Sequence, residues 1–329
     1  MFKTFQGLTT REILGKIVKD YSYWLSFFLL IMIAASLNAN FFTWNNISNI
    51  FVQSTMIGLI AMGMSMVISA GQIDISVGSQ VALLGGFGIS VLNSTGSVWI
   101  MLLFCLVGGA IIGTVNGLLV AKGHLPAMIA TLAMQTACRS IINFYGQGGP
   151  FTVDRSIYEG FREIAVGGLN IFGFTIPYMM IIFIAVTIVF NIIMKRTKFG
   201  KHIYAVGSNE TSAKLAGISV DRTKILVFTF TGIMCGLAAV LYASRLTAVA
   251  SANAAVGYEM EAIAAVAIGG TAMSGGKGKI MGTFLGVLMF KIISNILTSA
   301  DVSSFLNGAI SGAIIVIAVL IQNLQNRKK

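Results

Sequence analysis

The stretch STMIGLIAMGMSMVISAGQIDISVGSQVALLGG, residues 54–86, carries one charged side chain, Asp74, between two long apolar runs. About 20 consecutive apolar residues are enough to cross a bilayer as a helix. The stretch therefore reads as two membrane helices separated by a break at GQIDISVG, residues 71–78. A break bounded by glycines frees backbone N–H and C=O groups, which inside a membrane need protein partners or water. Two readings follow for its polar residues. Asp74 and Ser76 suit the N-terminus of a helix beginning near Ser79, where oxygen acceptors and negative charge are favoured. An acid at membrane depth also marks a polar path through the protein, and a Gly-bounded break is a place where such a path opens and closes.

The rest of the chain agrees with a membrane setting. Of 329 residues, 56% are hydrophobic and 10% charged, and the mean hydropathy is +0.86. Soluble domains carry about 25% charged residues. The apolar runs are continuous, without the alternation of a membrane β-barrel. The expected fold class is an all-α membrane protein of about ten transmembrane helices, near 21–38, 47–70, 79–93, 98–121, 125–145, 174–194, 223–243, 250–269, 280–298 and 306–323. No convincing signal-cleavage site precedes YWLSFFLLIMIAASL, so the first helix is expected to be retained.

Charge orients this array. With the N-terminus inside, the inner segments 1–20, 71–78, 122–124, 195–222, 270–279 and 324–329, with their flanks, hold 17 of the 22 Lys and Arg residues. The outer segments hold Arg155, Arg162 and Arg245, while Arg139 and Lys291 fall within helices. This bias follows the positive-inside rule and predicts both termini in the cytoplasm. It also gives the net charge of +11 a topological meaning rather than a nucleic-acid-binding one. Two loops stand out: an outer one at 146–173, in which YEGFREIAV suits a short surface helix, and a basic inner one at 195–222 with a helix-compatible stretch.

A faint repeat links two breaks. GQIDISVG at 71–78 and GGTAMSGG at 269–276 share G-x-x-x-x-S-x-G, placing Gly71, Ser76 and Gly78 over Gly269, Ser274 and Gly276. Asp74 then falls over Ala272, so any role for it beyond capping is not symmetric. Interrupted helices at matching positions surround the substrate path in many transporters.

Other polar residues have competing readings. Arg139 lies nearly four turns into its helix and either faces a cavity, pairs with an acid, or snorkels outward; Lys291 suits snorkelling. Glu259 and Glu261 pair with Arg245 or Arg139, or mark the outer end of the helix expected at 250–269. Gly109, Gly113 and Gly117 recur every four residues, the spacing of a close-packing face. Cys105, Cys138 and Cys235 sit in apolar runs as small buried hydrophobes. GGKGKIMG lacks the phosphate-loop pattern, since Lys277 precedes Gly278. His124 and His202 are isolated, and no catalytic constellation is visible. These residues predict neither an enzyme nor a bound cofactor or metal.

The inner loop is the most specific motif. KFGKHIYAVGSNETSAKLAGISVDRTKI resembles the cytoplasmic loop of permease subunits of bacterial ABC sugar importers of the ribose/galactose/xylose type, through Phe199, Gly200, Ala205, Gly207, Asn209, Ser212, Ala213, Gly217 and Ile218. GQIDISVGS, GYEMEAIAAVAIGGTAMSGGKGKIMGT and SSFLNGAISGAIIVIAVL also look like this family, so the resemblance covers residues 45–322. It implies a single permease domain over 1–329 in the bacterial inner membrane. Its partners would be cytoplasmic ABC ATPase subunits that use ATP, a periplasmic or lipid-anchored sugar-binding protein, and a second permease copy, identical or paralogous. Asn209, Glu210, Thr211, Ser212, Ala213, Gly217 and Ile218 would form the coupling loop. Thr211-Ser212-Ala213 stands where related loops often have Glu-Ala-Ala, with Glu210 one position early. Asp74, Ser76, Arg139, Glu261 and Ser274 are the candidates for the translocation path of a pentose or hexose. A branched-chain amino acid permease is the alternative, and an ion-coupled transporter is disfavoured for want of an acid relay.

Overall fold

The computed structural model describes residues 10–299 and the isolated positions 306, 309, 312, 313 and 316, with side chains described from residue 24 onward. Apart from those isolated positions, the helix expected at 306–323 and both extreme termini lie outside the described residues.

Helix α1 spans Thr10–Leu37 and α2 Trp44–Ser69; after the break come α3 (Val77–Thr95), α4 (Val98–Ala121) and α5 (Ala127–Gly146). Strand β1 (Pro150–Thr152), α6 (Tyr158–Val166), β2 (Gly168–Ile171) and β3 (Phe174–Pro177) follow, then α7 (Tyr178–Arg196), α8 (Lys198–Ser208) and α9 (Glu210–Leu215). The last elements are α10 (Val220–Leu246), β4 (Ala248–Ala250), α11 (Tyr258–Ile268) and α12 (Ile280–Ser299).

Among the described residues, six helices are long and apolar enough to cross a membrane: α2, α3, α4, α7, α10 and α12. The expectation of about ten spans is thus not met by this measure. α5 has 20 residues but carries Gln135, Thr136, Arg139, Ser140 and Asn143. The helix expected at 250–269 is replaced by β4, a turn region, and the 11-residue α11. Ser251 and Asn253 suit turns, and Gly257 at φ +83° stands at the N-cap of a helix that begins at Tyr258, eight residues late. The fold is not purely helical either. β1 pairs antiparallel with β4, and β2 with β3, at the end of the molecule opposite the breaks.

α2 is the centre of the bundle, with 83% of its apolar window buried, whereas α4, the most apolar span, is only 22% buried. A helix that is hydrophobic all round belongs in a core or in lipid; α2 takes the first place and the outer face of α4 the second. The inner face of α4 lies antiparallel on α10. A methyl added at Gly109 would strike the Gly232 carbonyl, at Gly113 the Phe228 carbonyl, and at Gly117 the Ile225 Cα. The four-residue glycine spacing is therefore the close-packing face the sequence predicts, and the Thr114 and Thr229 hydroxyls meet across it at 2.8 Å.

Candidate functional site

Two sites carry the polar candidates: a backbone junction where the breaks meet the basic loop, and a polar cavity on α5.

The first break starts where α2 ends. Gly71 takes φ +78°, and its amide donates to the Ile68 carbonyl at 2.9 Å while Gln72 donates to that of Val67 at 3.0 Å. Asp74 is wholly buried. Its Oδ1 accepts from the Ser76 amide at 2.9 Å and the Ser76 hydroxyl at 2.6 Å. The Ser76 Oγ in turn accepts from Gln80 Nε2 at 2.8 Å and Asn116 Nδ2 at 3.0 Å. Ser76 occupies the N-cap position of α3, which begins two residues earlier than expected, yet no side chain caps that helix. The hydroxyl is consumed by the network instead. Asp74 and Ser76 thus stand together in a buried cluster joined by Gln80 and Asn116, in which Asp74 Oδ2, Gln80 Oε1 and Asn116 Oδ1 have no hydrogen-bond partner.

The second break follows α11. Gly270, Gly275 and Gly276 take φ of +81°, +84° and +74°, folding the chain so that the Ala272 amide meets the Lys277 carbonyl at 2.9 Å. Ser274 is exposed at the tip of this turn. The two breaks touch, because the Gly276 amide donates to the Ser69 carbonyl at 2.9 Å.

The end of α8 is driven into this contact. A methyl group at Gly207 would collide with the Ser69 carbonyl and approach the Gly276 nitrogen to 2.7 Å; one at Gly275 would meet the Gly207 oxygen at 2.7 Å and the Gly71 Cα at 2.9 Å. Gly71, Gly207, Gly275 and Gly276 thus allow three backbone segments to pack without side chains between them. The Tyr204 hydroxyl donates to the Gly278 carbonyl at 2.9 Å, adding a second tie.

From the junction the chain runs straight into α9. Asn209 caps it, its Oδ1 accepting from the Ser212 amide at 2.8 Å. Glu210 pairs with Lys224 of α10 at 2.7 Å. Ala213 is buried against the protein itself, whereas Thr211 and Ser212 are exposed and Leu215, which sequence reasoning passed over, is 85% exposed. Gly217 at φ +78° turns the chain back, and the Ile218 amide closes on the Ala213 carbonyl at 3.0 Å.

The second site lies toward the opposite end. Gln135, Thr136, Arg139, Ser140 and Asn143 share one face of α5, and with Val256 and Glu259 they line a cavity of about 430 Å³. Arg139 donates to the carbonyls of Ser251 at 3.1 Å and Ala254 at 2.8 Å, so it faces a cavity and a turn. Glu259 is buried, with Gln135 Nε2 at 3.5 Å from its Oε1. Glu261, a path candidate, is instead paired with Lys291 of α12 at 2.7 Å. This pair takes the place both of a contact with Arg139 or Arg245 and of an unpaired acid marking the helix end, because α11 turns this side chain toward α12, and Lys291 pairs inward rather than snorkelling. Glu259 and Gln135 were missing from the site read in sequence; the polar spacing at 135, 139 and 143 was the available signal. Among the described residues, no three His, Cys, Asp or Glu side chains are grouped to hold a metal ion.

Residues 46–319 match the family described as branched-chain amino acid transport system / permease component. The chain belongs to this permease family. The permease is 36% identical over 320 residues to the ribose import permease RbsC of Haemophilus influenzae, an alignment covering 96% of this chain and 97% of that one. It is 37% identical over 306 residues to the Escherichia coli protein of the same name, covering 91% and 92%. It is also 31% identical over 315 residues to the E. coli L-arabinose transport system permease protein AraH, covering 96% and 94%.

Proposed function

We propose that this permease is the membrane-embedded subunit of an ATP-binding-cassette importer that carries a monosaccharide, a pentose or a hexose, across the bacterial cytoplasmic membrane. It binds no cofactor itself; ATP is used by separate ATPase subunits on the cytoplasmic side. The remaining partners are a sugar-binding protein outside and a second permease copy, and the whole chain acts as one domain.

The observation that carries this reading is the continuity of α8, the junction and α9. One end of the segment presents Thr211, Ser212 and Leu215 to the surroundings, and the other ends in backbone contact with both breaks. A small displacement of α9 by an ATPase would therefore reach Gly71 and Gly275 without passing through flexible side chains. Packed backbone transmits such displacements because it has few voids to absorb them. Lys195, Arg196, Lys198 and Lys201 beside this segment favour its cytoplasmic placement, with both termini on the same side. The two breaks, each following a helix closed by a positive-φ glycine, would be the related halves of a pseudo-repeat. α1, α5 and the 306–323 segment would complete the set of crossing helices, with the 11-residue α11 entering the membrane array without crossing it.

A second reading, transport of a branched-chain amino acid, appears in the description of the family. Against it stand the curated sugar permeases at 36–37% identity and a cavity whose lining has Val256 as its one aliphatic side chain. Uptake decides between them. Proteoliposomes holding the assembled importer should accumulate labelled pentose or hexose with ATP, and competition with excess leucine should leave that uptake unchanged. Leucine accumulation in place of sugar would replace the sugar assignment.

A further inference from the structure

Resting on the permease reading, we infer that the α5 cavity is a sugar-binding station within the permease itself, in which Gln135, Arg139, Asn143 and Glu259 hold the hydroxyl groups of a monosaccharide in transit.

The argument begins with α5. A helix of 20 residues that sets Gln135, Arg139 and Asn143 on one face, about 12 Å apart end to end at 1.5 Å per residue, would expose a costly polar stripe if that face met lipid. The cavity of about 430 Å³ over this stripe lies within the size range of small-molecule sites, roughly 300–1,000 Å³.

The lining then selects the ligand class. Its two charged groups are Arg139 and Glu259, one of each sign, so the site has no excess charge to attract an anion or a cation. Arg139 is fixed by the two carbonyls of the 251–254 turn. A guanidinium has five N–H donors, so donors remain beyond those two bonds, already oriented and without rotamer freedom to lose. Asn143 belongs to the lining, and its Oδ1 is enclosed without a hydrogen-bond partner, a cost that is recovered when the amide turns to take up a ligand hydroxyl. Glu259 and Gln135 meet at a long 3.5 Å, a spacing that leaves the carboxylate able to accept from a ligand hydroxyl. Donors and acceptors at close quarters, set in a wall that also carries apolar surface, match a neutral sugar, which has hydroxyl groups along its edge and C–H faces.

The test uses two readouts. Saturation-transfer NMR on the purified full-length permease in nanodiscs, with D-ribose, L-arabinose and D-galactose as probes, reports binding without ATPase or binding protein. ATP-driven accumulation by the assembled importer reports the permease reading independently. Saturable transfer to at least one sugar and none to L-leucine is expected. Asn143→Ala and Gln135→Ala should each weaken it at least threefold, while Met128→Ala, on the same helix away from the cavity, leaves it unchanged. Asn143→Ala removes no partner of another protein group, so it should fold normally, as its elution in gel filtration would show. Wild-type sugar accumulation with no saturation transfer, or transfer that ignores both substitutions, would overturn the station and leave the permease reading standing. Absence of ATP-driven accumulation of any sugar by the wild-type importer would overturn both.

Discussion

The amide of Gly276 donates to the carbonyl oxygen of Ser69 across 2.9 Å, fastening one helix break to the last residue of the helix that precedes the other. Gly207 lies in the same contact, with no room for a Cβ between it and Ser69. The inner loop and the two breaks are therefore one mechanical unit.

Gly207→Ala should separate transport from assembly. Its Cβ would press on backbone atoms of Ser69 and Gly276, which cannot rotate away as a side chain can. Overpacking of this kind costs about 1–3 kcal/mol, and here it lands on the junction. ATP-driven uptake should fall at least tenfold while immunoblots of membranes show normal levels. Ser208→Ala, next to it but exposed, should transport normally.

Leu215→Ser should weaken the ATPase contact without loosening the fold. The side chain is 85% exposed, so its removal costs the isolated permease little, within about 0.5 kcal/mol as for ordinary surface changes. Co-purification of the ATPase from detergent should drop sharply, with the thermal midpoint of the permease alone unchanged. Undiminished co-purification would remove Leu215 from the docking surface.

Lys291→Met should destabilise the protein by about 3 kcal/mol, because it leaves the half-buried Glu261 charge without its partner at 2.7 Å. Adding Glu261→Gln should restore most of the loss, since the cost comes from the orphaned charge rather than from the missing attraction. Thermal unfolding of the single and double variants in one detergent provides the comparison.

Asp74→Asn keeps an Oδ1 for the Ser76 amide and hydroxyl, and it should fold. Asp74→Leu should cost about 1–3 kcal/mol, the penalty of leaving buried donors unmet, and should reduce the amount of protein in the membrane. If Asp74→Asn folds but does not transport, the acid has a role beyond holding the break.

Local signals proved readable wherever the physics was local. YEGFREIAV forms α6, from Tyr158 to Val166, because its apolar residues recur at helical spacing. Gly71 carries positive φ where the sequence placed a break. The segment after residue 246 was misread because its apolar composition is also that of a helix, while β4 depends on pairing with β1, about 100 residues away. The pairing of Glu261 with Lys291 was not legible for a similar reason, since which side of α11 faces α12 is set by packing.

By itself the sequence determined that the chain is helical and membrane-embedded, where it breaks, and that its inner loop resembles that of a sugar permease. Hydrophobic run length, glycine placement and charge bias are properties of consecutive residues, and they act before any tertiary contact forms. Only the tertiary structure decided that Gly207, Ser69 and Gly276 meet, that Ser76 ties Asp74 to Gln80 and Asn116, and that the polar face of α5 closes with Glu259 around a cavity. The contacts of Gly276 with Ser69, Ser76 with Asn116 and α5 with Glu259 join residues 40 or more positions apart, and only the packing of distant helices brings them together.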